Sequence, residues 1–187
     1  MNEDKLHHMR LYAALLLAQA VQRLYAGAKL GLAAVTEQGF YYDLDVPGSL
    51  SDSDLAGIEE EMQRIAAENA SSVVELLSLE EGLRLFESRN EAWKAEWIRE
   101  AAGDKIAVMR SGAFLDVVPN EWAASGASHG LPAFKLLNTA GAYWRGDSSN
   151  PMLQRIYGAA FSSEVELAAF VAGHEEALKR DHRKLGQ

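Results

Sequence analysis

The sequence predicts an α+β fold, antiparallel sheets with packed helices around a cleft. Three observations predict it. Lys29–Val35 and Phe40–Val46 are strand-like runs meeting at Glu37-Gln38-Gly39, a hairpin signal. Lys105–Arg110 and Ala113–Val118 repeat that pattern across Ser111-Gly112. Apolar stripes with helical spacing lie between and outside these hairpins, and antiparallel hairpins interspersed with separate helices define the α+β class.

In chain order, a helix is expected from about His7 to Tyr25, where Leu11, Leu15, Leu16, Ala18, Gln19 and Leu24 keep helical spacing and Gly27 suits the stop. Leu11 and Leu15, four apart, share one face. After the first hairpin, Pro47-Gly48-Ser49 ends the unit. A second helix runs from about Asp52 to Glu68, with Ser51 and Asp54 as N-terminal caps and Leu55, Ile58, Met62 and Ile65 as its apolar stripe. Val73–Leu77 is a short strand. Ser78 opens a small helix through Phe86, and another covers roughly Glu91–Ala101. The stretch Pro119–Pro132 has no period and is long for a structureless connection. Phe134–Phe161 then reads as two strands joined by the turn-forming Arg145–Pro151, with Ala140-Gly141-Ala142 as small residues where another backbone must approach closely. Ser163 and Glu166 form a capping box for a last helix to about Leu185. Its basic tail, Lys179–Lys184, complements the helix dipole.

The 187 residues, 48% apolar and 24% charged, fit one domain spanning 1–187. No apolar run approaches the roughly 18 residues of a membrane span, and no secretory leader is evident, so a cytoplasmic location without membrane contact is expected. The absence of cysteine excludes disulfides and thiolate metal sites. A net charge of −9, from 18 basic against 27 acidic residues, opposes polyanions, so tRNA is a weak candidate partner.

Four strings carry a family likeness: Leu15–Tyr25 (LLLAQAVQRLY), Ala28–Asp45 (AKLGLAAVTEQGFYYDLD), Phe134–Phe161 (FKLLNTAGAYWRGDSSNPMLQRIYGAAF) and Lys179–Gly186 (KRDHRKLG). Together they resemble the editing domain of threonyl-tRNA synthetase, the second additional domain, which hydrolyses wrongly charged seryl-tRNA. Neither the ubiquitin-like domain that usually precedes this module nor the synthetase core is expected here, so no aminoacylation is expected. In that family the chemistry rests on a helical His-x-x-x-His and a later Cys-x-x-x-His. The resemblance places Leu11 and Leu15 at the first pair, with Tyr12 for the intervening Ser, and Val118 and Trp122 at the second pair. It carries over Lys94 as the editing-site lysine, Asp116 as the acid before the lost cysteine, and Tyr41 and Tyr42 as cleft tyrosines.

All four polar positions thus read as apolar, within one cleft, while the scaffold strings persist. That pattern points to a metal-free, cofactor-free cleft, repurposed naturally or by design, that binds a small apolar or aromatic molecule. Leu11, Tyr12, Leu15, Tyr42, Trp97, Val118 and Trp122 are its candidate lining, with Trp93 as a further aromatic wall. Lys94, in apolar surroundings, is a candidate base or nucleophile, with Asp116 and Glu121 as candidate acids or bases. The plainer assignments are a Lys94 salt bridge with Asp116 or Glu91, an exposed Glu121, and leucines that simply fill a dead site. The alternatives in function are a residual seryl-tRNA deacylase using Lys94, Asp116 and water, and an inert tRNA-binding or structural module. His7 and His8 are adjacent and cannot copy the lost pair. His129 sits in the long loop within reach of the cleft.

Overall fold

A computed structural model of the chain describes residues 3–68, 71–126 and 130–185. Among the described residues, six α-helices and seven strands follow one another as α1 (Glu3–Leu24), β1 (Lys29–Val35), β2 (Gly39–Asp45), α2 (Leu55–Glu68), β3 (Ser72–Ser78), α3 (Leu79–Ser88), α4 (Ala92–Arg99), β4 (Lys105–Ser111), β5 (Phe114–Val118), α5 (Trp122–Ser125), β6 (Ala133–Tyr143), β7 (Met152–Phe161) and α6 (Glu164–Leu185). The strands form two antiparallel sheets, one in the order β1-β2-β7-β6 and one in the order β3-β4-β5. The α+β expectation holds.

Packing follows from periodicity. On β4, Ala107 and Met109 face one way and Ile106 and Val108 the other, because successive side chains alternate across a strand. The first pair joins the main core with α1, α2 and the four-stranded sheet. The second joins Phe86, Ile98 and Leu115 beneath α3 and α4. The three-stranded sheet is therefore apolar on both faces. Each face has its own partner.

Local chemistry sets the element ends. The Ser51 N–H donates to the Asp54 carboxylate at 2.8 Å and opens the turn into α2. Ser78 Oγ accepts from the Glu81 N–H at 3.1 Å, and Ser163 Oγ accepts from the Glu166 N–H at 3.2 Å, which are the N-caps expected for α3 and α6. The turn after β6 is a short 3-10 segment, Trp144–Gly146. Its Arg145 takes a left-handed φ of 58° and is held by an ion pair with Glu100.

Two expectations are sharpened. The small patch Ala140-Gly141-Ala142 pairs with Arg155, Gln154 and Leu153 on β7, and a Cβ on Gly141 would meet the Met152 sulfur at 2.4 Å. Closer backbone approaches lie at Gly39, where a Cβ would stand 2.0 Å from the Gly158 carbonyl oxygen on β7, and at Gly31, where it would stand 2.4 Å from the Asp43 carbonyl oxygen. The stretch Pro119–Pro132 is also not featureless. It holds the one-turn α5, and Asn120 Oδ1 accepts from the Ala107 N–H at 3.0 Å, tying the stretch to β4.

Candidate functional site

The helical period of α1 and the two-residue period of β5 converge on one region. Asp116 and Val118, two apart, point from β5 to the same side, toward α1 and β2. Along α1, His8, Leu11 and Leu15 recur at i, i+3 and i+7 and make one stripe. The positions that the resemblance singles out thus fall in two neighbouring groups, one apolar and one charged.

The apolar group is packed shut. Leu15, Val118 and Trp122 lie in the main core at 1%, 5% and 0% exposure, with Leu11 and Tyr12 half-buried against it. Trp122 Nε1 donates to His8 Nδ1 at 2.8 Å, and the two rings lie 5.7 Å apart. Trp122 therefore fills the space that a side chain lining an open pocket would leave. The cavity on this side of α1, lined by Tyr12, Leu15, Leu16 and Gln19 among others, has a volume of about 40 Å³. Small-molecule pockets typically run to about 300 Å³ or more.

The charged group is equally closed. Lys94 from α4 and Asp116 from β5 meet at 2.9 Å, with side-chain exposures of 4% and 1%. Asp116 Oδ2 accepts from the Tyr42 hydroxyl at 2.6 Å, and Oδ1 accepts from the Val117 N–H at 2.7 Å. Lys94 Nζ also donates to the Tyr42 oxygen at 3.4 Å. Burial, reinforced by Asp116, pushes the Tyr42 hydroxyl well above its ordinary range, so it stays a donor. A lysine with this carboxylate against it is a charged hydrogen-bonding group and lacks the free lone pair a nucleophile needs.

The remaining candidates do not join this site. Trp97 packs on the second core beneath α4 and lines a separate open hollow of about 450 Å³ with Lys105, Pro119 and Arg145. Trp93 donates to Asp45 Oδ2 at 3.0 Å and leans on Trp144. Tyr41 lies on the far face of β2, under the Arg155 guanidinium at 3.8 Å. Glu121 is exposed at the start of α5. Glu91, the other possible partner of Lys94, instead accepts from the Leu30 N–H at 2.8 Å and from Gln22 Nε2 at 2.9 Å. Its burial pushes the carboxyl up. His129 lies outside the described residues. Among the described residues no three His, Asp or Glu side chains converge as a metal site would require, and no helix is long and apolar enough to cross a membrane.

Sequence reasoning missed His8 as the partner of Trp122. The i, i+3, i+7 spacing through Leu11 and Leu15 was the signal that could have placed it there.

The two sheets, the long first helix and the site between them define an α+β domain of the threonyl-tRNA synthetase editing type. The chain is homologous over nearly all its length to one part of threonine–tRNA ligases. It is 44% identical over 185 residues (98% of the chain) to that of Geobacillus sp. (strain WCH70), and 46% identical over 173 residues (92%) to that of Acetivibrio thermocellus. It is 44% identical over all 187 residues to that of Streptococcus agalactiae serotype Ia. The chain spans 28%, 27% and 28% of the length of these three relatives. No protein-family model matches the chain.

Proposed function

We propose that this chain is a non-hydrolysing derivative of the editing domain, acting in the cytoplasm as one packed domain whose catalytic positions have become core. One observation carries the reading. Trp122 is fully buried and hydrogen-bonded to His8, at the position the resemblance aligns with a catalytic histidine. Leu15 and Val118, aligned with a second histidine and the cysteine, are buried in the same core. A seryl ester would find no histidine or cysteine at those aligned positions, and on the other side Lys94 and Asp116 are committed to each other. The decisive experiment incubates the protein with threonine-specific tRNA charged with serine. Hydrolysis is expected at the rate of buffer alone. Hydrolysis above that rate in the unmodified protein overturns the reading in favour of a residual deacylase.

A second reading, a small apolar or aromatic ligand in the same cleft, is favoured by the apolar residues that line the cavity beside Tyr12, Leu15 and Met109. It requires the cavity to widen, since about 40 Å³ does not admit an aromatic ring. A thermal-shift screen with aromatic ligands tests it, with stabilisation as support and none as refutation. tRNA enters as a partner only through the names of the relatives, and the net charge of −9 works against it.

A further inference from the structure

We infer that the cavity between α1, α2 and the paired ends of β3 and β4 is a binding site for a small neutral molecule of the short primary amide or urea class. Three polar side chains carry the inference. Gln19 is 6% exposed, yet among the described residues its amide has no hydrogen-bond partner. Ser111 is 7% exposed and its hydroxyl is likewise without one. Tyr12 lies about two helical turns from Gln19 on the same face of α1 and lines the same space, also without a hydrogen-bond partner among the described residues. Buried polar groups are almost always satisfied, because an unpaired one keeps the cost of leaving water. Two such groups around one void, with the half-buried Tyr12 beside them, therefore mark a place built to be filled.

The lining selects the occupant. Leu15, Ile65 and Met109 wall the cavity, and among the described residues no charged side chain lines it, so an ion would be stranded. Its volume of about 40 Å³ equals roughly three water-sized spheres and excludes rings. A carboxamide has a donor and an acceptor on one edge, matching in two points the acceptor and donor of the Gln19 amide. The hydroxyls of Ser111 and Tyr12 complete its remaining valences. Gln19 also lines an outer open hollow of about 180 Å³ with Gln22, Arg23 and Phe114, so its side chain separates the cavity from solvent and rotation of that side chain is the entry step. The inference stands apart from the proposed loss of hydrolysis, and a positive deacylase assay would leave it untouched.

Titration of the whole protein with acetamide, followed by the side-chain NH2 resonances of Gln19 and by thermal unfolding, tests it. A saturable shift with a dissociation constant in the millimolar range, as expected for a ligand of so few atoms, supports it, with a matching rise in Tm. Gln19→Leu should fold, melt higher than the parent without ligand, and lose the acetamide-dependent rise. A shift that stays linear, no shift at all because ordered waters hold the cavity, or an equal Tm rise in Gln19→Leu overturns it.

Discussion

The two halves of the candidate site differ in their chemistry, one apolar and one charged. On the α1 side, Leu15, Val118 and Trp122, which the resemblance would place at catalytic positions, lie in the core. On the α4 side, Lys94 and Asp116 keep the polar identities that the resemblance assigns, yet they are as deeply buried as the leucines. Retained identity is therefore weak evidence of retained activity. A lysine is available for catalysis only if its lone pair and a path to solvent are available, and here its ammonium is neutralised by a carboxylate whose other oxygen is held by Tyr42.

Breaking the charged half gives the largest expected effect. Lys94→Met leaves Asp116 buried and unpaired and should cost about 3–5 kcal/mol, read by denaturant unfolding. Combining it with Asp116→Asn, which removes the buried charge and keeps one acceptor for Tyr42 or Val117, should recover at least about 2 kcal/mol, because the two residues form one unit. A catalytic lysine in an open cleft would behave oppositely, with Lys94→Met nearly neutral for stability.

The apolar half is broken by Trp122→Ala, with an expected loss of about 3–5 kcal/mol from the cavity it leaves. Trp122→Phe separates bulk from polarity. It keeps most of the ring but removes the donor to His8, and should cost nearer about 1 kcal/mol plus the small volume change. If Trp122 were a flap over an open pocket, both substitutions would be close to neutral.

The fold was legible because it depends on patterns with a fixed period. Lys29–Val35 appears as a strand over the very span its composition marks, and the capping serines of α3 and α6 lie where their spacing to Glu81 and Glu166 puts them. The site was legible only in part. Lys94 with Asp116 followed from the resemblance and from the need to pair a buried charge. The aromatic residues did not resolve, because helical or strand spacing says which face a ring occupies and not which core that face meets. Trp97 and Trp93 sit one turn apart on α4, and each found a partner other than the cleft. Whether an apolar residue lines a pocket or plugs it depends on packing in three dimensions. The sequence shows that Trp122 is apolar and large, and both outcomes are compatible with that.

A smaller, pH-dependent effect is expected at Glu91, which links β1 to the start of α4. Burial raises its folded-state pKa above the usual carboxylate value, although the Leu30 N–H and Gln22 favour the charge. The folded protein then binds this proton more tightly than the unfolded chain. Its contribution is fully present below the unfolded value of about 4.3 and is lost as pH rises through the raised folded value. Glu91→Gln keeps an acceptor for Leu30 and cannot ionise. The difference in stability between variant and parent should grow in the variant's favour from pH 4 toward neutrality. A difference that is flat with pH would mean that the carboxylate is fully compensated in place.

The smallest effect is expected at Glu121, and it sharpens the comparison from the other side. This carboxylate is exposed at the start of α5, makes no side-chain cap, and lies next to the plug without sharing its burial. Glu121→Gln should change stability by no more than about 0.5 kcal/mol, the usual range for surface sites. It should also leave acetamide binding and the seryl-tRNA assay unchanged. Were Glu121 instead a base that reaches the cleft when Trp122 moves, the substitution would lower a measurable hydrolysis rate while leaving unfolding untouched. That combination of results would reopen the site to catalysis, because it would locate the working carboxylate on the mobile side of the plug and not in the sealed pair with Lys94.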